Sequence, residues 1–477
     1  MADEVAVRYG TAQGRWVIIA AVLGSGVVFL DGTVVNVALP ALSRDLDASV
    51  RGLQWVLDGY LVTLSALLLL GGNAGDRYGR RRMFVTGLGG FVVASVLCGL
   101  APTVAFLIVA RALQGVAGAL LVPASLSIIS SAFDGDDRGR AIGAWSGLAA
   151  VAGAVGPLVG GWLVDAASWR LIFFLNVPVA AAGAAIALRH VPETRDDDAG
   201  PLDVTGATLV SAGIALVAYG LIEHTVAAGL AGVAALAAFM AVERGSAHPM
   251  LPLSLFASRQ FTGANFTTVA VYGAMSAAMF LVTLRLQVTM GYAALEAGAS
   301  FLPFTGLMLV LSARVGRVAQ QIGPRLPMTV GPLLSAAGLL LFSSIGPGDG
   351  YVTAVLPAVT LFGLGMTVTV APLTAAVLGA VDRRRAGVAS AVNNVAARLA
   401  GLLGIAVIPA VAGIDTGGGV ARSLDSGYPT ALRICAAGCA AGGAIAWLFV
   451  RSSASIRSIT HPDPQHACHD ACVEAAA

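Results

Sequence analysis

Three ionisable residues lie inside apolar stretches of the sequence. Asp31 stands in the middle of the first apolar run, Asp58 stands early in the second, and Arg111 stands well inside the fourth. Charged side chains are costly inside a bilayer, so they usually face a cavity, pair with one another and serve a function. Asp31 therefore predicts a proton site or a site for a cationic substrate. The alternatives are a carboxylate at a helix end among the headgroups, or a purely structural ion pair.

Arg111 must find an acceptor, because a lone guanidinium in hydrocarbon costs several kcal/mol. Asp31 and a backbone carbonyl are the natural candidates. Gln114 follows one helical turn later and could line the same face, although the alternative is a simple hydrogen bond between helices. We expect the group around Arg111 to carry proton coupling, against the alternative of a structural salt bridge.

Asp58 predicts direct contact with a proton or a substrate. The alternative is a solvated carboxylate at the mouth of a vestibule, since its neighbours include aromatic residues of the kind found at membrane interfaces. Later in the chain, Asn393, Asn394 and Arg398 either line the cavity or pack between helices. The predicted substrate cavity comprises Asn36, Trp55, Tyr60, Gln114, Asn393 and Asn394.

The second half of the chain shows no clear carboxylate in the middle of an apolar run. Glu296 and Asp349 are expected in loops. This pattern argues against the transport of divalent cationic drugs, and it places proton coupling in the first half.

Composition identifies an integral membrane protein. Hydrophobic residues make up 57% of the chain and charged residues only 11%, against about 25% charged residues in soluble domains. All 28 basic residues are arginines, so the chain has neither the lysine of a Walker A loop nor a Schiff-base lysine. With no HExxH or GxSxG motif either, we expect no enzyme, cofactor or metal. The net charge of +2 argues against a nucleic-acid partner.

The apolar runs have about the 20 residues that a membrane-spanning helix needs. Fourteen can be drawn: Trp16–Leu39, Leu53–Gly72, Phe84–Leu100, Val104–Ile128, Ala141–Val164, Leu171–Leu188, Val204–Leu221, Ala227–Val242, Phe261–Leu284, Ala297–Leu311, Leu326–Ile345, Val352–Val377, Ala386–Val411 and Pro429–Val450. Most loop arginines follow even-numbered spans, so the positive-inside rule predicts that both termini lie in the cytoplasm.

The predicted organisation is an all-α integral membrane protein with two six-helix bundles and two extra helices. Its parts are a cytoplasmic N-terminus at 1–15, a bundle at 16–190, linkers with two inserted helices at 191–259, a bundle at 260–450 and a disordered cytoplasmic tail at 451–477. The tail holds His and Cys residues of the types that bind metals, but their composition favours disorder.

An internal repeat relates the two bundles. The segment 72–81 has the same Gly and Arg spacing as 316–325, and 137–141 matches 382–386 at nearly the same offset. Because these two repeated segments have nearly the same offset, spans 1–6 correspond to spans 9–14, and spans 7 and 8 are an insertion. Parallel six-helix halves around a midplane site are typical of one large class of transporters.

Particular motifs resemble those of the major facilitator superfamily. The segment 72–81 resembles its motif A, Leu107 to Gly115 resembles motif B, and Gly153 to Gly161 resembles motif C, the antiporter signature. Residues 30–40 resemble the first-span motif of the 14-span drug:proton antiporter branch, most similar in general to actinomycete antibiotic exporters of the methylenomycin-resistance type. The resemblance covers about residues 15–450.

The resemblance implies a proton-coupled exporter of antibiotics or other lipophilic molecules, working by alternating access as a monomer in the bacterial plasma membrane. It implies a conformational switch at Gly72, Asp76, Arg77, Gly79 and Arg80 and an antiporter motif at Gly153, Gly156, Pro157, Gly160 and Gly161. The alternatives are loop arginines that only set topology and glycines that only allow close packing. At the level of function, the alternatives are proton-coupled uptake and a membrane sensor that transports nothing.

Overall fold

The computed structural model describes residues 7–195, 203–223, 225–246, 251, 253–381, 386–414 and 420–452. The His- and Cys-rich tail and the repeat residues Asp382 to Arg385 lie outside the described part, so the predictions for them stand as predictions. Within it the chain forms helices and no strand.

The N-terminal half contains seven helices, because its sixth apolar run breaks in two at Leu175. They are α1 (Ala12–Asp45), α2 (Val50–Tyr78), α3 (Arg80–Gly99), α4 (Val104–Ala132), α5 (Gly135–Ala166), α6 (Leu171–Phe174) and α7 (Asn176–His190). Hydroxyl side chains cap several of them: Thr11 Oγ1 accepts from Gly14 N–H, and Ser49 Oγ accepts from Gly52 N–H.

An inserted hairpin and the C-terminal half follow. The hairpin is α8 (Val204–Ile222) and α9 (Val226–Gly245), and the C-terminal half is α10 (Arg259–Leu284), α11 (Ala294–Ala299), α12 (Leu302–Ile322), α13 (Arg325–Ser343), α14 (Leu356–Gly379), α15 (Ala386–Val411) and α16 (Val420–Phe449). A 3₁₀ turn occupies Leu253–Ala257, and π-helical turns occupy Arg285–Thr289 and Tyr351–Val355. Glu296, which we expected in a loop, lies in α11.

Each of the fourteen predicted spans coincides with a helix or a pair of helices. Twelve helices in the described part are long and apolar enough to cross a membrane. Helix α2 would be the thirteenth if its two segments, bent by 51° between Leu68 and Leu70, form one span. The apolar part of α5 is the shorter Val151–Ala166. The all-α prediction is confirmed, and the number of spans stays a prediction.

The two halves contact each other along α2 and α15 and through α5 and α11. We call the end that holds residues 72–81 the motif A end and the other the opposite end. Several hydrogen bonds join the halves toward the opposite end. Gln54 Nε2 donates to Ile405 O at 2.8 Å, and Gln287 Nε2 donates to Val37 O at 2.9 Å. The Asp165 carboxylate accepts from the N–H groups of residues 294 and 295 at 3.1 and 2.7 Å.

The inserted hairpin touches both halves. Helix α8 packs against α9, α2 and α15. Near its end, Glu223 pairs with Arg51 at 3.2 Å and accepts a hydrogen bond from Trp55 Nε1 at 2.8 Å. An apolar cluster that includes Val62, Ile214 and Leu402 joins the three helices. The hairpin therefore covers the seam between α2 and α15.

Candidate functional site

A buried polar cluster occupies the interior of the N-terminal half. We define the Asp31 cluster as Asp31, Ser95, Arg111, Gln114 and Asn176, which come from α1, α3, α4 and α7. All five are at most 1% exposed. A polar group in such a place needs hydrogen-bond partners, because its lost hydration must be replaced.

Arg111 forms an ion pair with Asp31 through Nη1 and Oδ2. Its Nε donates to Val56 O at 3.1 Å, so both of the predicted kinds of acceptor contact it. Its Cζ also lies 4.3 Å from the centroid of the Tyr60 ring, a cation–π distance. The guanidinium is thus held on three sides by α1 and α2.

Two amides complete the coordination of Asp31. Gln114 Nε2 donates to Asp31 Oδ1 at 3.0 Å, and Asn176 Nδ2 donates to the same oxygen at 2.9 Å. Gln114 also accepts from Arg111 Nη1 at 2.7 Å and donates to Ser95 Oγ at 2.9 Å. The carboxylate therefore receives one cation and two neutral donors, which compensates its burial.

Asp58 lies in the opposite situation. It is 0% exposed, and neither of its carboxyl oxygens has a hydrogen-bond partner among the described residues. Our alternative of a solvated carboxylate at a vestibule mouth is therefore wrong. Helix α2, which carries Asp58, is enclosed by α4, α8 and α15, and this packing cannot be seen in the local sequence.

The residues predicted to line a substrate cavity are dispersed. Gln114 belongs to the Asp31 cluster, and Tyr60 is buried beneath Arg111 with its hydroxyl donating to Val28 O at 3.2 Å. Trp55 contacts the inserted hairpin through Glu223 and Tyr219. Asn36 is half-buried and donates to Gly32 O at 3.3 Å within its own helix.

The two amides of α15 point in different directions. Asn393 Nδ2 donates to Asn265 Oδ1 at 3.1 Å and to Thr268 Oγ1 at 2.7 Å, so it binds α15 to α10. Asn394 is exposed. Arg398, one turn after Asn394 and therefore on its face of the helix, is half-buried.

The motif C glycines of α5 form contacts with both halves. Gly153 O accepts from Thr33 Oγ1 at 2.9 Å. A Cβ added at Gly156 or Gly160 would lie 2.2 or 2.3 Å from side-chain atoms of α1. One added at Gly161 would lie 2.6 Å from Leu295 Cα, in α11 of the other half.

Pro157 extends this contact between the halves. A Cβ added at Gly298 of α11 would lie 2.3 Å from Pro157 O. The close approach of α5 and α11 thus depends on small residues on both sides.

The predicted switch residues lie where α2 ends and α3 begins. Asp76 pairs with Arg80 at 2.9 Å, a contact within the N-terminal half. Gly79 adopts φ +105°, a backbone conformation that favours glycine. Gly72 faces Pro123, since an added Cβ would lie 3.4 Å from that ring. The Cζ of Arg77 lies 5.8 Å from the Tyr78 ring.

Glu193 is a functional candidate that the sequence did not single out. Its carboxylate accepts from Arg81 N–H at 3.0 Å and from Arg82 N–H at 3.1 Å, so it caps α3 from the segment after α7. It thereby fixes the motif A end of the N-terminal half.

A separate apolar groove of about 440 Å³ lies between α12 and α14, away from these charged groups. It is lined by Pro303, Gly306, Leu307, Val310, Leu311 and Thr360. It offers almost no polar group.

The Major Facilitator Superfamily model matches residues 21–405. The chain belongs to the Major Facilitator Superfamily. This superfamily identification agrees with a solved structure of a bacterial homologue of the human lysosomal transporter Spinster, in an inward-facing and unoccupied conformation. That structure has a TM-score of 0.66 at 16% identity and covers 92% of this chain and 97% of its own, which shows the fold.

Several curated members of the superfamily resemble this chain over most of its length. The tetracenomycin C resistance and export protein of Streptomyces glaucescens is 34% identical, with 82% of this chain and 74% of the relative covered. The puromycin resistance protein of Streptomyces alboniger is 37% identical, with 90% of this chain and 88% of the relative covered. The methylenomycin A resistance protein of Bacillus subtilis is 32% identical over 83% and 87%.

Proposed function

We propose that this protein exports antibiotic-like small molecules across the bacterial plasma membrane in exchange for protons. Export is supported by the resistance and export names of its relatives. The observation that carries proton coupling is Asp58, a fully buried carboxyl group without a hydrogen-bond partner in the described part of the chain. It lies in the same half as the fully coordinated Asp31.

The two carboxyl groups divide the work because their surroundings differ. Asp31 is neutralised by Arg111 and receives two amide donors. Asp58 is held in its protonated form while it is buried, since an ionised carboxylate without water or donors would cost many kcal/mol. It ionises only when a conformational change brings water or a cation to it. Asp58 is therefore the proton carrier of the proposal, and Asp31 with Arg111 is the fixed pair beside it.

Alternating access supplies that change. In this conformation the hydrogen bonds between the halves close the opposite end, and exposed Asn394 lies on the α15 face shared with Arg398. We assign the motif A end to the cytoplasm from the positive-inside rule. Substrate then enters from the cytoplasm or the inner leaflet, and the proton of Asp58 leaves inward when water reaches that carboxyl group. Opening of the opposite end releases the substrate outside and lets a proton return to Asp58.

The test uses everted membrane vesicles from a host without other drug pumps, with puromycin, lincomycin and tetracenomycin C as probes. We expect accumulation that an uncoupler abolishes, together with proton release on substrate addition. The Asp58→Asn variant should lose proton release and net accumulation but keep substrate counterflow, because the amide resembles the protonated acid. Asp349→Asn is the matched control, since Asp349 lies in a loop and only accepts from Gly346 N–H.

Four outcomes would contradict the proposal. Accumulation that survives the uncoupler would remove proton coupling. Normal proton release in Asp58→Asn would remove Asp58 from the carrier role. Proton-driven accumulation in right-side-out vesicles only would favour an uptake carrier, and transport of no probe in any preparation would favour a sensor.

A further inference from the structure

The positive charge of Arg398, at the interface of the halves, has no function in the transport cycle described so far. Arg398 stands midway along α15, in the C-terminal half, and is half-buried. Its Cζ lies 5.7 Å from the Phe29 ring centroid, and Phe29 belongs to α1 of the other half. Arg398 therefore faces across the interface. The residue that it contacts, Phe29, lies two positions before Asp31 in α1.

No carboxylate neutralises Arg398 within the described part of the chain. It forms no ion pair or hydrogen bond there, and its Nε is buried without a partner. The arginines buried elsewhere in the bundle differ: Arg111 pairs with Asp31, and Arg285 pairs with Asp425. A guanidinium remains charged at any physiological pH.

The described acidic residues of the C-terminal half are all engaged toward the opposite end. Glu296 accepts from Ala293 N–H at 3.0 Å, Asp349 accepts from Gly346 N–H at 2.8 Å, and Asp425 pairs with Arg285. Across the interface, Asp31 is already coordinated by Arg111 and two amides, and the buried Asp58 is uncharged in the proposed resting state. The middle of the interface therefore carries an uncompensated positive charge.

An uncompensated cation in this position is costly unless water or a negatively charged ligand reaches it. The planar guanidinium offers two parallel donors that match a carboxylate, and the neighbouring Phe29 ring offers an apolar face. Asn394 adds an amide one turn away on the same face of α15. Together they suit a flat ligand with a negatively charged edge.

We propose that Arg398 binds the anionic group of the substrate, so that the protein preferentially exports aromatic molecules carrying a carboxylate or phenolate. This inference rests on the proposed export function and specifies its substrate class. The Arg398 guanidinium is the specificity-determining group, and Phe29 and Asn394 border the same site.

The test compares two xanthene dyes of similar size and opposite charge, fluorescein and rhodamine 123, by fluorescence anisotropy with the purified full-length protein. We expect the anionic fluorescein to bind at least about tenfold more tightly than cationic rhodamine 123, as one charge-assisted contact predicts. Arg398→Gln should weaken fluorescein binding about tenfold and leave rhodamine 123 within about twofold. Arg398→Lys should fall between, because it keeps the charge without the planar fork.

Arg259→Gln is the matched control, since it removes an exposed arginine that only contacts Leu448 O and the Phe449 ring. The proposal is overturned if wild-type protein binds rhodamine 123 as tightly as fluorescein, or if Arg398→Gln weakens both dyes equally. The wild-type comparison decides even if the variants fail to fold. Uncoupler-sensitive antibiotic export without a preference for the anionic dye would refute this inference alone, whereas absence of such export would refute the proposed function.

Discussion

At the scale of single residues, the Asp31–Arg111 ion pair is costly to bury, and both side chains are fully coordinated by hydrogen-bond partners. Each partner is at most 1% exposed, so removal of either leaves the other charge buried and uncompensated. We expect Asp31→Asn or Arg111→Ala to destabilise the purified protein by about 3–5 kcal/mol. The double variant should regain much of that loss, because both charges disappear. The measurement is denaturant unfolding in detergent, followed by tryptophan fluorescence.

Transport should not return with stability. Asp31→Asn and Arg111→Ala should both abolish drug resistance while protein remains in the membrane, and the stable double variant should abolish it too. Resistance restored in the double variant would reduce the pair to a structural element. Intact substrate-induced proton release in Arg111→Ala would exclude a coupling role for that residue.

The sequence predicted this pair because each charge required a partner and few partners existed. It did not single out Ser95 and Asn176, since neutral polar residues in apolar runs are common and their spacing gives no sign of convergence. Asn176 stands directly after the break between α6 and α7, a position that only the folded chain relates to Asp31. The burial of Asp58 was also missed, because it depends on helices far away in sequence.

At the scale of elements, α5 shows how glycine positions control the contact between halves. In Gly161→Ala the new Cβ would lie 2.6 Å from Leu295 Cα and 2.7 Å from Ala294 O, so α5 and α11 must separate. We expect a proton leak in the absence of substrate and at least about a tenfold loss of drug accumulation, equivalent to about 1.4 kcal/mol of lost closure. Acridine-dye fluorescence in energised vesicles measures the leak.

Gly143 provides the control on the same helix. An alanine Cβ there would meet nothing within 4 Å, so Gly143→Ala should retain a tight membrane and full accumulation. An equal leak in both variants would attribute the effect to helix propensity, and no leak in Gly161→Ala would argue against the seal.

Helix positions were predictable because hydropathy reports which segments lie in hydrocarbon. Helix ends were less so: α2 extends to Tyr78 and α5 begins at Gly135, since both continue into the polar zone, where hydropathy gives no signal. The break at Leu175 and the separate α11 were missed because both sides of each break are apolar. Glu296 was therefore placed in a loop, although it lies in the first turn of α11 and caps that helix by accepting from Ala293 N–H.

At the scale of the whole molecule, the two halves differ in the ionisable residues that they place at their interface. The N-terminal half holds the Asp31 cluster and Asp58, whereas the C-terminal half faces them with Arg398 and amides. The repeat shows the same asymmetry, since Gln320 stands where the first half has Asp76. The inserted hairpin joins α2 and α15 across this interface. The ionisable groups of the two halves thus lie on opposite sides of this interface.

This arrangement predicts how transport depends on membrane potential. If one proton enters through Asp58 while a monoanion leaves through the Arg398 site, each cycle moves two charges across the membrane in the same sense. At 100 mV two charges correspond to about 4.6 kcal/mol, against about 2.3 kcal/mol for exchange of a neutral substrate. The reachable gradient for an anion should therefore rise with potential about twice as steeply on a logarithmic scale.

Proteoliposomes at equal internal and external pH, with potentials set by potassium and valinomycin, test this directly. At an acidic pH where fluorescein is a monoanion, its accumulation should increase across a series of potentials with twice the logarithmic slope of a neutral xanthene ester, and Arg398→Gln should lower the rate for fluorescein only. The slope reports the number of charges moved per cycle, whereas the rate reports substrate binding. One experiment therefore distinguishes the contribution of Asp58 from that of Arg398. A flat response for fluorescein would mean that an anion leaves without net charge movement, which is incompatible with proton entry through Asp58 on each cycle.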